Sequence, residues 1–396
     1  MVNRSAVDAD VIVVGLGVMG SQTLWRLARR GVHVLGVEQF HPGHDHGSSH
    51  GESRMFRSTA YGDSAGYTNL LRHALRLWDA LEAETGVRVL ERTGGLVIGP
   101  PASSAITGAL ASAKAHGTAH ERLSTAEIHR RYPQHRVTEG IAAVHDADAG
   151  LLRAEQAVTA GVTAAREHGA TVLEGSTVQA VLPDPERPRV RLADRELTAR
   201  HIVVAAGAWL PQLVPHLAQA VRVERRVMAW VRVGTPEDYG PARFPPFVRA
   251  DHAGTRSIYG FPSLDGATMK VGLHVWPRMD ETADPTAGGP RPPNESDAEF
   301  HAALVRQMLT GVDPHPIRMK ACMYSLTPDR NFIVGRLPSL PGLTLLGGFS
   351  GHGFKFASAI GEIAARSALA EPPLLETAGM DPGRSALTAM TPSPAA

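Results

Sequence analysis

Three glycines and an acid near the amino terminus have the residue types and the spacing of a nucleotide-binding turn. Gly15, Gly17 and Gly20 follow the apolar run 11–14 at G-x-G-x-x-G spacing, and Glu38 ends a second apolar run. The first glycine permits a tight turn, the second leaves room for a pyrophosphate, and the third lets a helix pack closely on a strand. Glu38 is placed to accept both hydroxyls of an adenosine ribose. Unless the glycines form only a structural turn, this pattern predicts a bound dinucleotide, either NAD or FAD.

These residues need a strand, a helix and a second strand to position them, and residues 10–38 have that pattern. The β-branched run 11–14 is typical of a strand buried on both faces. Helical patterns recur at 67–86, 104–132, 153–168, 297–310 and 357–370, and strand patterns at 94–99, 170–182 and 201–209. Residues 221–276 change to alternating strands, which indicates a separate antiparallel layer. The order of elements predicts a mixed α/β fold.

Composition and charge narrow the classes of function. The 396 residues include 40 basic and 39 acidic side chains, so a nucleic-acid or membrane-surface partner is not expected. No apolar run approaches the roughly 20 residues that span a bilayer. The first residues lack the apolar segment of a signal peptide, which predicts a cytoplasmic protein. The single cysteine, Cys322, excludes an intrachain disulfide and a cysteine-rich metal site.

The loop at 41–57 has two interpretations. Its histidines invite a metal site, but no pair of them has the spacing of a helical ligand pair and no acid cluster accompanies them, so no metal is expected. Arg54 and Arg57 favour the second interpretation, because guanidinium groups bind phosphate or carboxylate through paired hydrogen bonds. The loop therefore indicates a site for anionic groups.

Six segments together resemble the monomeric sarcosine oxidase and N-methyltryptophan oxidase family, which belongs to the D-amino-acid-oxidase-like flavoproteins. They are VIVVGLGVMG, SSHGESRMFR, YGFPS, MKVGLH, ACMYSLTPDRNFIVG and GGFSGHGFKF, and they extend from about residue 8 to about residue 370. The first is shared by many proteins, whereas the last two are far more specific. The resemblance implies FAD and an α/β fold in which a Rossmann-like FAD-binding domain is interleaved with an antiparallel-sheet substrate domain.

The resemblance also implies an order of domains along the chain. Residues 1–95, 151–215 and 319–370 are expected to form the FAD-binding domain, and residues 96–150 and 216–318 the substrate domain. The final segment, 371–396, is rich in Pro, Thr, Ser and Ala without periodicity, and we expect it to be flexible or loosely attached.

Two single residues have specific roles in the family. Cys322 matches the cysteine that forms a thioether with the flavin 8-methyl carbon, and a thiolate beside an electron-poor ring system is a competent nucleophile. The alternative for Cys322 is a small buried hydrophobic residue. Lys270 matches the lysine near flavin N5 that promotes reduction of O2, where a fixed cation stabilises developing negative charge. The alternative for Lys270 is a solvated strand residue.

The resemblance also implies which residues form the substrate site. Arg57 and Lys355 match the pair of cations that bind the substrate carboxylate, and Arg54 matches an arginine near the flavin ring. Further residues match positions that contact substrate or assist catalysis: Tyr61, Tyr259, His274, Tyr324 and His352. Of these, Tyr61 departs from the family spacing by one residue. Trp276 also departs from the family, because it occupies a position that usually holds a smaller aromatic side chain.

The cofactor contacts implied by the glycine turn and the resemblance extend over most of the chain. They are Gly15, Gly17, Val18, Met19, Gly20, Glu38, Gln39, Ser48, Ser53, Arg54, Val178, Ala206, Gly207, Trp209, Cys322, Met323, Phe349, Gly351, His352, Gly353 and Lys355.

The activity implied is oxidation of a secondary α-amino acid, N-methylated or cyclic, to an imine that hydrolyses, with O2 reduced to H2O2. Alternatives are a biosynthetic enzyme acting on a cyclic imino acid or amine, and a dehydrogenase with another electron acceptor. A silent flavin-binding sensor or an NAD-linked dehydrogenase would leave Cys322 and Lys270 without a role. The expected partners are a small amine and O2, with no nucleic acid and no membrane, and a monomer is expected.

Overall fold

Strands and helices alternate along the described chain. The computed structural model describes residues 7–59, 65–251, 257–275 and 281–388. The strands are β1 (Ala9–Val14), β2 (Val34–Val37), β3 (Ser53–Phe56), β4 (Leu90–Glu91), β5 (Gly95–Gly99), β6 (His120–Leu123), β7 (Ala142–Asp146), β8 (Gly150–Arg153), β9 (Thr171–Leu173), β10 (Ala180–Leu182), β11 (Arg189–Arg191), β12 (Glu196–Val204), β13 (Arg222–Val233), β14 (Phe247–Ala250), β15 (Ser257–Phe261), β16 (Thr268–Val275), β17 (Val312–Leu326), β18 (Ile333–Gly335) and β19 (Leu343–Gly347). The helices are α1 (Val18–Ala28), α2 (Ala65–Thr85), α3 (Ser104–His116), α4 (Thr125–Arg131), α5 (Ala154–Glu167), α6 (Leu210–Leu213), α7 (Pro236–Tyr239), α8 (Glu295–Met308), α9 (Ala357–Ala368) and α10 (Ser385–Thr388).

The strand that precedes the glycine turn lies at the centre of a parallel sheet. Strands β19, β12, β1, β2 and β9 are parallel neighbours in that order, and β10, β11 and β18 extend the sheet through antiparallel pairs. Val11 and Val13 pack into one hydrophobic core with α1, α2, α5 and α9, whereas Ile12 and Val14 pack into a second core on the other face. Because both faces are covered, β1 is apolar at every position from 11 to 14.

A second sheet covers the first at its carboxyl edge. Its strand order is β17-β13-β16-β15-β14-β5-β7-β6, and its pairs are antiparallel except for β14 with β5. The predicted layer at 221–276 is present, with β14 as an additional strand. The long strand β17 pairs with β13 and places Cys322 opposite Arg226. The predicted domain boundaries, including the return to the cofactor domain at residue 319, stay a prediction. The mixed α/β fold class is confirmed.

The predicted helical region at 104–132 is divided by a strand. Gly117 ends α3 with a positive φ of 63°, and its N–H donates to the carbonyl of Ala113. After β6, Ser124 begins α4 through a capping box with Glu127, in which each side chain accepts from the other residue's backbone N–H. A glycine stop and a new cap within eight residues leave no room for one continuous helix.

The segment after α9 differs from the loose attachment predicted for it, over residues 371–388. Met380 and Leu387 are buried, each in one of the two cores beside the parallel sheet. Arg384 donates from Nε and Nη2 to the carboxylate of Asp329, at 2.8 and 3.0 Å. Two apolar anchors and a paired arginine hold this segment without any helical periodicity. No helix in the described ranges combines the length and the apolar character needed to cross a membrane.

The close packing that the glycine pattern predicts at Gly20 can be tested by substitution. A Cβ at Gly20 would lie 1.8 Å from the carbonyl oxygen of Gly15, a backbone atom that cannot move aside. We therefore expect Gly20→Ala to lower the free energy of unfolding by about 2–4 kcal/mol, measured by urea denaturation. Gly108→Ala is the matched control, because Gly108 also lies in a helix and nothing stands within 4 Å of its added methyl group. Equal effects of the two substitutions would contradict the packing argument.

Candidate functional site

One cavity of about 560 Å3 lies between the two large sheets, where the parallel strands end. This is the edge at which open α/β sheets bind ligands. The predicted site residues that line it are Gly15, Gly17, Val18, Met19, Glu38, Gln39, Ser48, Ser53, Arg54, Arg57, Val178, Ala206, Gly207, Trp209, Tyr259, His274, Cys322, Met323, Tyr324, Phe349, Gly351, His352, Gly353 and Lys355. Residues more than 300 positions apart in the sequence thus line the same cavity. Gly20 and Lys270 are not among the lining residues, and Tyr61 and Trp276 lie outside the described residues.

The glycine turn has the geometry that its sequence predicts. Gly15 has a φ of +84°, and a Cβ there would lie 2.8 Å from the carbonyl oxygen of Ala205. Gly17 is the N-cap of α1 and has no side chain, and it lines the cavity together with Val18, whose N–H donates to Ser49 Oγ at 3.0 Å. Such a helix start attracts anions through its N–H groups and its partial positive charge.

Glu38 holds the turn to the end of β2. Its two carboxylate oxygens accept from the N–H groups of Leu16 and Phe40, at 2.7 and 3.0 Å. His44 Nε2 lies 3.4 Å from the same carboxylate. A carboxylate has about four acceptor positions, so these bonds leave capacity for a ribose hydroxyl. Glu38 therefore has a structural role in addition to the predicted one.

The turn at 51–53 is fixed from both sides by opposite charges. Lys270 is buried, and its Nζ donates to the carbonyls of Gly51 and Ser53, both at 2.6 Å. The carboxylate of Glu155, in the first turn of α5, accepts from the N–H groups of Gly51 and Glu52 at 2.6 and 3.0 Å. Burial lowers the pKa of Lys270 well below its usual range. Glu155 was not identified from the sequence, although an acid at a helix start is a recognisable signal for binding N–H groups.

Arg54 joins the loop to the second sheet. Its guanidinium donates to the carbonyls of Ser53 and Ser48 at 2.7 and 2.9 Å, and Ser48 Oγ donates to the carbonyl of Met323 at 2.5 Å. The Ser53 hydroxyl is buried at the cavity wall and has no hydrogen-bond partner among the described residues. A buried polar atom in that position is explained by a polar ligand in the cavity.

Cys322 lies on the cavity wall in a cationic environment. The residue is 3% exposed and is the only cysteine of the chain. Burial raises the pKa of its thiol, whereas the charges of Arg54, Lys270 and Arg226 act in the opposite direction. Burial has the larger effect, so the pKa of the thiol lies above its usual range, and the cations partly offset that rise toward the nucleophilic thiolate.

Two cations and two histidines form a second polar group in the cavity. Lys355 is buried, its Nζ donates to the carbonyl of His352 at 2.8 Å, and its own carbonyl accepts from Trp78 Nε1 at 3.0 Å. Burial and the neighbouring charge of Arg57 lower the pKa of Lys355 well below its usual range. Burial, together with Arg57 and Lys355, lowers the pKa of His274 and of His352 to about 3. Both imidazoles are therefore neutral near pH 7, whereas the guanidinium of Arg57 stays charged, and a bound carboxylate would favour the protonated form of Lys355.

The family of the chain follows from its whole-length similarity. The model of the family described as FAD dependent oxidoreductase matches residues 10–367. The chain belongs to this family. Within the FAD dependent oxidoreductases, it is 35% identical to a monomeric sarcosine oxidase of Streptomyces avermitilis, over 91% of this chain and 93% of the relative. It is 32% identical to an N-methyl-L-tryptophan oxidase of Yersinia pestis, over 92% and 96% of the two chains. The predicted resemblance is confirmed.

Solved structures of similar proteins support the fold. NikD, described as an unusual amino acid oxidase essential for nikkomycin biosynthesis, matches with a TM-score of 0.82 at 25% identity, covering 94% of this chain and 97% of NikD. L-proline dehydrogenase from P. horikoshii matches with a TM-score of 0.78 at 20% identity, covering 94% and 96%.

FAD, the cofactor that this family binds, fits the cavity of this chain. The bare backbone at Gly15 and Gly17 suits the pyrophosphate, and the unpartnered Ser53 hydroxyl is available to a polar ring. Gly351 also lines the cavity and packs closely on Tyr324, since a Cβ there would lie 2.3 Å from that ring. No group of three or more His, Cys, Asp or Glu side chains within the described ranges is arranged to hold a metal ion.

Several lining residues were not identified from the sequence. They include Met55, Met228, Val248 and Phe261, which add apolar surface to the wall that also carries Tyr259. Val248 lies on β14, the strand that the sequence pattern did not reveal. Nothing in the local sequence distinguishes an apolar side chain that lines a cavity from one that lies in a hydrophobic core.

The neutral histidines predict how stability changes with pH. Because His274 and His352 have a pKa of about 3 in the folded protein, against about 6.5 in an unfolded chain, only the unfolded chain binds these protons between those two pH values. The free energy of unfolding of the apoprotein should therefore be highest above pH 6.5 and fall as the pH is lowered toward 3. Each histidine contributes at most about 1.4 kcal/mol per pH unit. Denaturant titrations at several pH values measure this slope.

A single substitution isolates the contribution of His352 to the pH dependence of the unfolding free energy. His352→Gln should make the slope shallower by up to the contribution of one proton, about 1.4 kcal/mol per pH unit. An identical slope in wild type and His352→Gln would contradict the neutral state of His352.

Proposed function

We propose that this chain is an FAD-dependent oxidase of a secondary α-amino acid, N-methylated or cyclic, that transfers electrons to O2. The observation that carries the proposal is the grouping of Arg57 and Lys355 with two neutral histidines in the cavity that the glycine turn and Cys322 also line. The names of the relatives from Streptomyces avermitilis and Yersinia pestis support an amino-acid or N-methyl-amino-acid substrate. The name of the former also supports a monomer.

The residues that would hold FAD extend over the length of the cavity. Gly15, Gly17 and the start of α1 would bind the pyrophosphate, and Glu38 the ribose. Ser53 and Arg54 would contact the ring system. Bound FAD would supply the two-electron acceptor for amine oxidation, which no side chain of the protein can provide.

The substrate would be held by its carboxylate. A carboxylate bound beside Arg57 and Lys355 would accept charge-assisted hydrogen bonds from both and would favour the protonated form of Lys355. Because His274 and His352 are uncharged, these two residues offer no negative charge that would stabilise a protonated amine. The two cations also disfavour a protonated amine nearby, so the neutral amine, whose lone pair is needed for oxidation, is favoured. Tyr259 and Tyr324 provide aromatic surface for this end of the substrate.

The overall reaction balances with water and O2. The C–H carbon and the nitrogen of the amine lose two electrons and two protons and become an imine. Water then adds to the imine and releases the amine and carbonyl products, which include formaldehyde if an N-methyl group was oxidised. O2 takes up the two electrons and two protons and becomes H2O2. Lys270 would provide positive charge for the electron transfer to O2, acting from behind the Ser53 turn to which it is bonded.

Two lysine substitutions test the separate roles of substrate binding and O2 reduction. Lys355→Met should raise the amino-acid concentration that gives half-maximal flavin reduction by about ten- to a hundredfold, since a charged hydrogen bond is lost. Lys270→Met should leave anaerobic flavin reduction nearly unchanged and slow reoxidation by O2 by orders of magnitude. Stopped-flow absorbance measures both half-reactions with N-methyl and cyclic amino acids, and formaldehyde assays identify demethylation. Equal losses in both half-reactions of Lys270→Met would contradict its assignment, and absence of H2O2 with every such substrate would overturn the proposed function.

Cys322 is proposed to attach the flavin covalently through a thioether, in which its sulfur would replace one hydrogen of the flavin 8-methyl group. The two electrons and two protons released from the S–H and C–H bonds would pass to the flavin ring system and then to O2, which becomes H2O2. The place of Cys322 on the cavity wall and the cations near its thiol support this step. Acid-precipitated wild-type protein should keep its yellow chromophore, whereas Cys322→Ser should release it into the supernatant. We expect Cys322→Ser to fold like the wild type, because the substitution removes little volume, and circular dichroism checks this. Complete release of flavin from the wild type would contradict covalent attachment.

A further inference from the structure

A second concave site lies at the other end of α1. Its volume is about 390 Å3, and its charged lining consists of Arg26, Arg29, Arg30, Arg76, Arg366 and Glu362, which we call the basic pocket. Val18, at the start of α1, lines the cofactor cavity, and Arg26 lies eight residues farther along. At 1.5 Å per residue, the two sites are separated by about 12 Å along the helix axis. The amine oxidation proposed above gives these arginines no role.

Carboxylates neutralise only part of the positive charge in the basic pocket. Glu362 accepts from Arg30 Nη2 at 2.5 Å and from Arg366 Nε at 2.8 Å, and it lies 3.8 Å from Arg26 Nε. Arg30 also pairs with Glu371 at 3.3 Å, and Arg29 pairs with Glu84 at 3.4 Å. Five guanidinium groups thus meet three carboxylates, which leaves an excess of two positive charges.

Arg26 is the least satisfied of these cations. The residue is 5% exposed, and its Nε and Nη2 atoms are buried without a hydrogen-bond partner among the described residues. Its guanidinium lies 3.9 Å from the centre of the Trp25 ring. A buried guanidinium with unused donors is costly unless an anion compensates it.

Arg76 also faces other basic groups. It lies in the middle of α2, is exposed, and its Nη2 is 3.0 Å from His73 Nδ1. Burial has the largest effect in lowering the pKa of His73, and the positive charges of Arg76 and Arg366 lower it further. The positive potential at this site is therefore strong enough to act on a neighbouring titratable group.

Helix ends explain only some of the arginines. Arg26 and Arg366 lie in the last turns of α1 and α9, where positive charge is favoured by the helix dipole. That explanation does not extend to Arg76, which is far from either end of α2, or to the unused donors of Arg26. An anion bound in the pocket would compensate the charge of both arginines.

We propose that the basic pocket binds a small multivalent anion of the phosphate class. Guanidinium groups bind phosphate oxygens through paired, charge-assisted hydrogen bonds, and several of them around one concave site favour an anion with more than one negative charge. Free polyphosphate and the phosphate chain of a nucleotide share this chemistry. The proposal is independent of the substrate of the cofactor cavity.

Calorimetric titration of inorganic pyrophosphate into the flavin-loaded protein, at constant ionic strength, tests the proposal. We expect one saturable site per chain, and Arg76→Gln should weaken binding about tenfold. Arg29→Gln is a second variant of an exposed side chain, in case the first disturbs α2. Arg195→Gln removes the same charge from an exposed position outside the pocket and should leave the affinity unchanged. Circular dichroism and amine oxidation report whether each variant is folded.

The outcomes distinguish a built site from general attraction. Absence of saturable binding, or equal weakening in Arg195→Gln and Arg76→Gln, would overturn the proposal. Binding that persists unchanged in both Arg76→Gln and Arg29→Gln would also overturn it, because pyrophosphate would then occupy another site. A parallel titration with ATP separates the two sources of the ligand, since tighter binding of ATP indicates a nucleotide and equal binding indicates the phosphate groups alone.

Discussion

Burial of positive charge around one cavity is the constraint on which the arrangement of this protein depends. Lys270 and Lys355 are almost completely buried, and each is compensated by backbone carbonyls: those of Gly51 and Ser53 for Lys270, and that of His352 for Lys355. Carbonyl dipoles satisfy an ammonium group only if the backbone that carries them is rigid. The Glu155 carboxylate and the turns around Gly51 and Gly351 provide that rigidity. The chain is thus organised to keep cations in a place where an anionic ligand gains most from them.

The site also requires both large sheets. The glycine turn and Glu38 belong to the parallel sheet, whereas Tyr259, His274 and Cys322 belong to the second sheet. Ser48 and Arg54 connect the two, because Ser48 donates to the carbonyl of Met323 and accepts from Arg54 through its own carbonyl. A change in the distance between the sheets would therefore alter the site even if every side chain were retained.

Local features of the site were predictable from the sequence, and features that depend on distant pairing were not. The glycine turn follows from a few adjacent residues, and its positive φ at Gly15 and close contact at Gly20 match the roles assigned to them. The placement of Cys322 in the second sheet depends on β17 pairing with β13, about a hundred residues earlier. The strand that divides the predicted helix at 104–132 forms by pairing with β7. Lys270 and Glu155 meet only through the turn between them, which no periodicity reveals.

The position of β1 has a consequence for how the protein is made. Ala9 pairs with Ala199 in β12, and β12 in turn pairs with Leu343 in β19. The sheet that supports the cavity is therefore incomplete until β19 has left the ribosome, on the order of tens of seconds after β1. The strand before the glycine turn has an open edge until β12 is made, and β12 has an open edge until β19 is made. Loading of the cofactor must then follow synthesis of β19 and of the Gly351–Lys355 wall, and the growing chain carries exposed hydrophobic strand edges that need protection from aggregation.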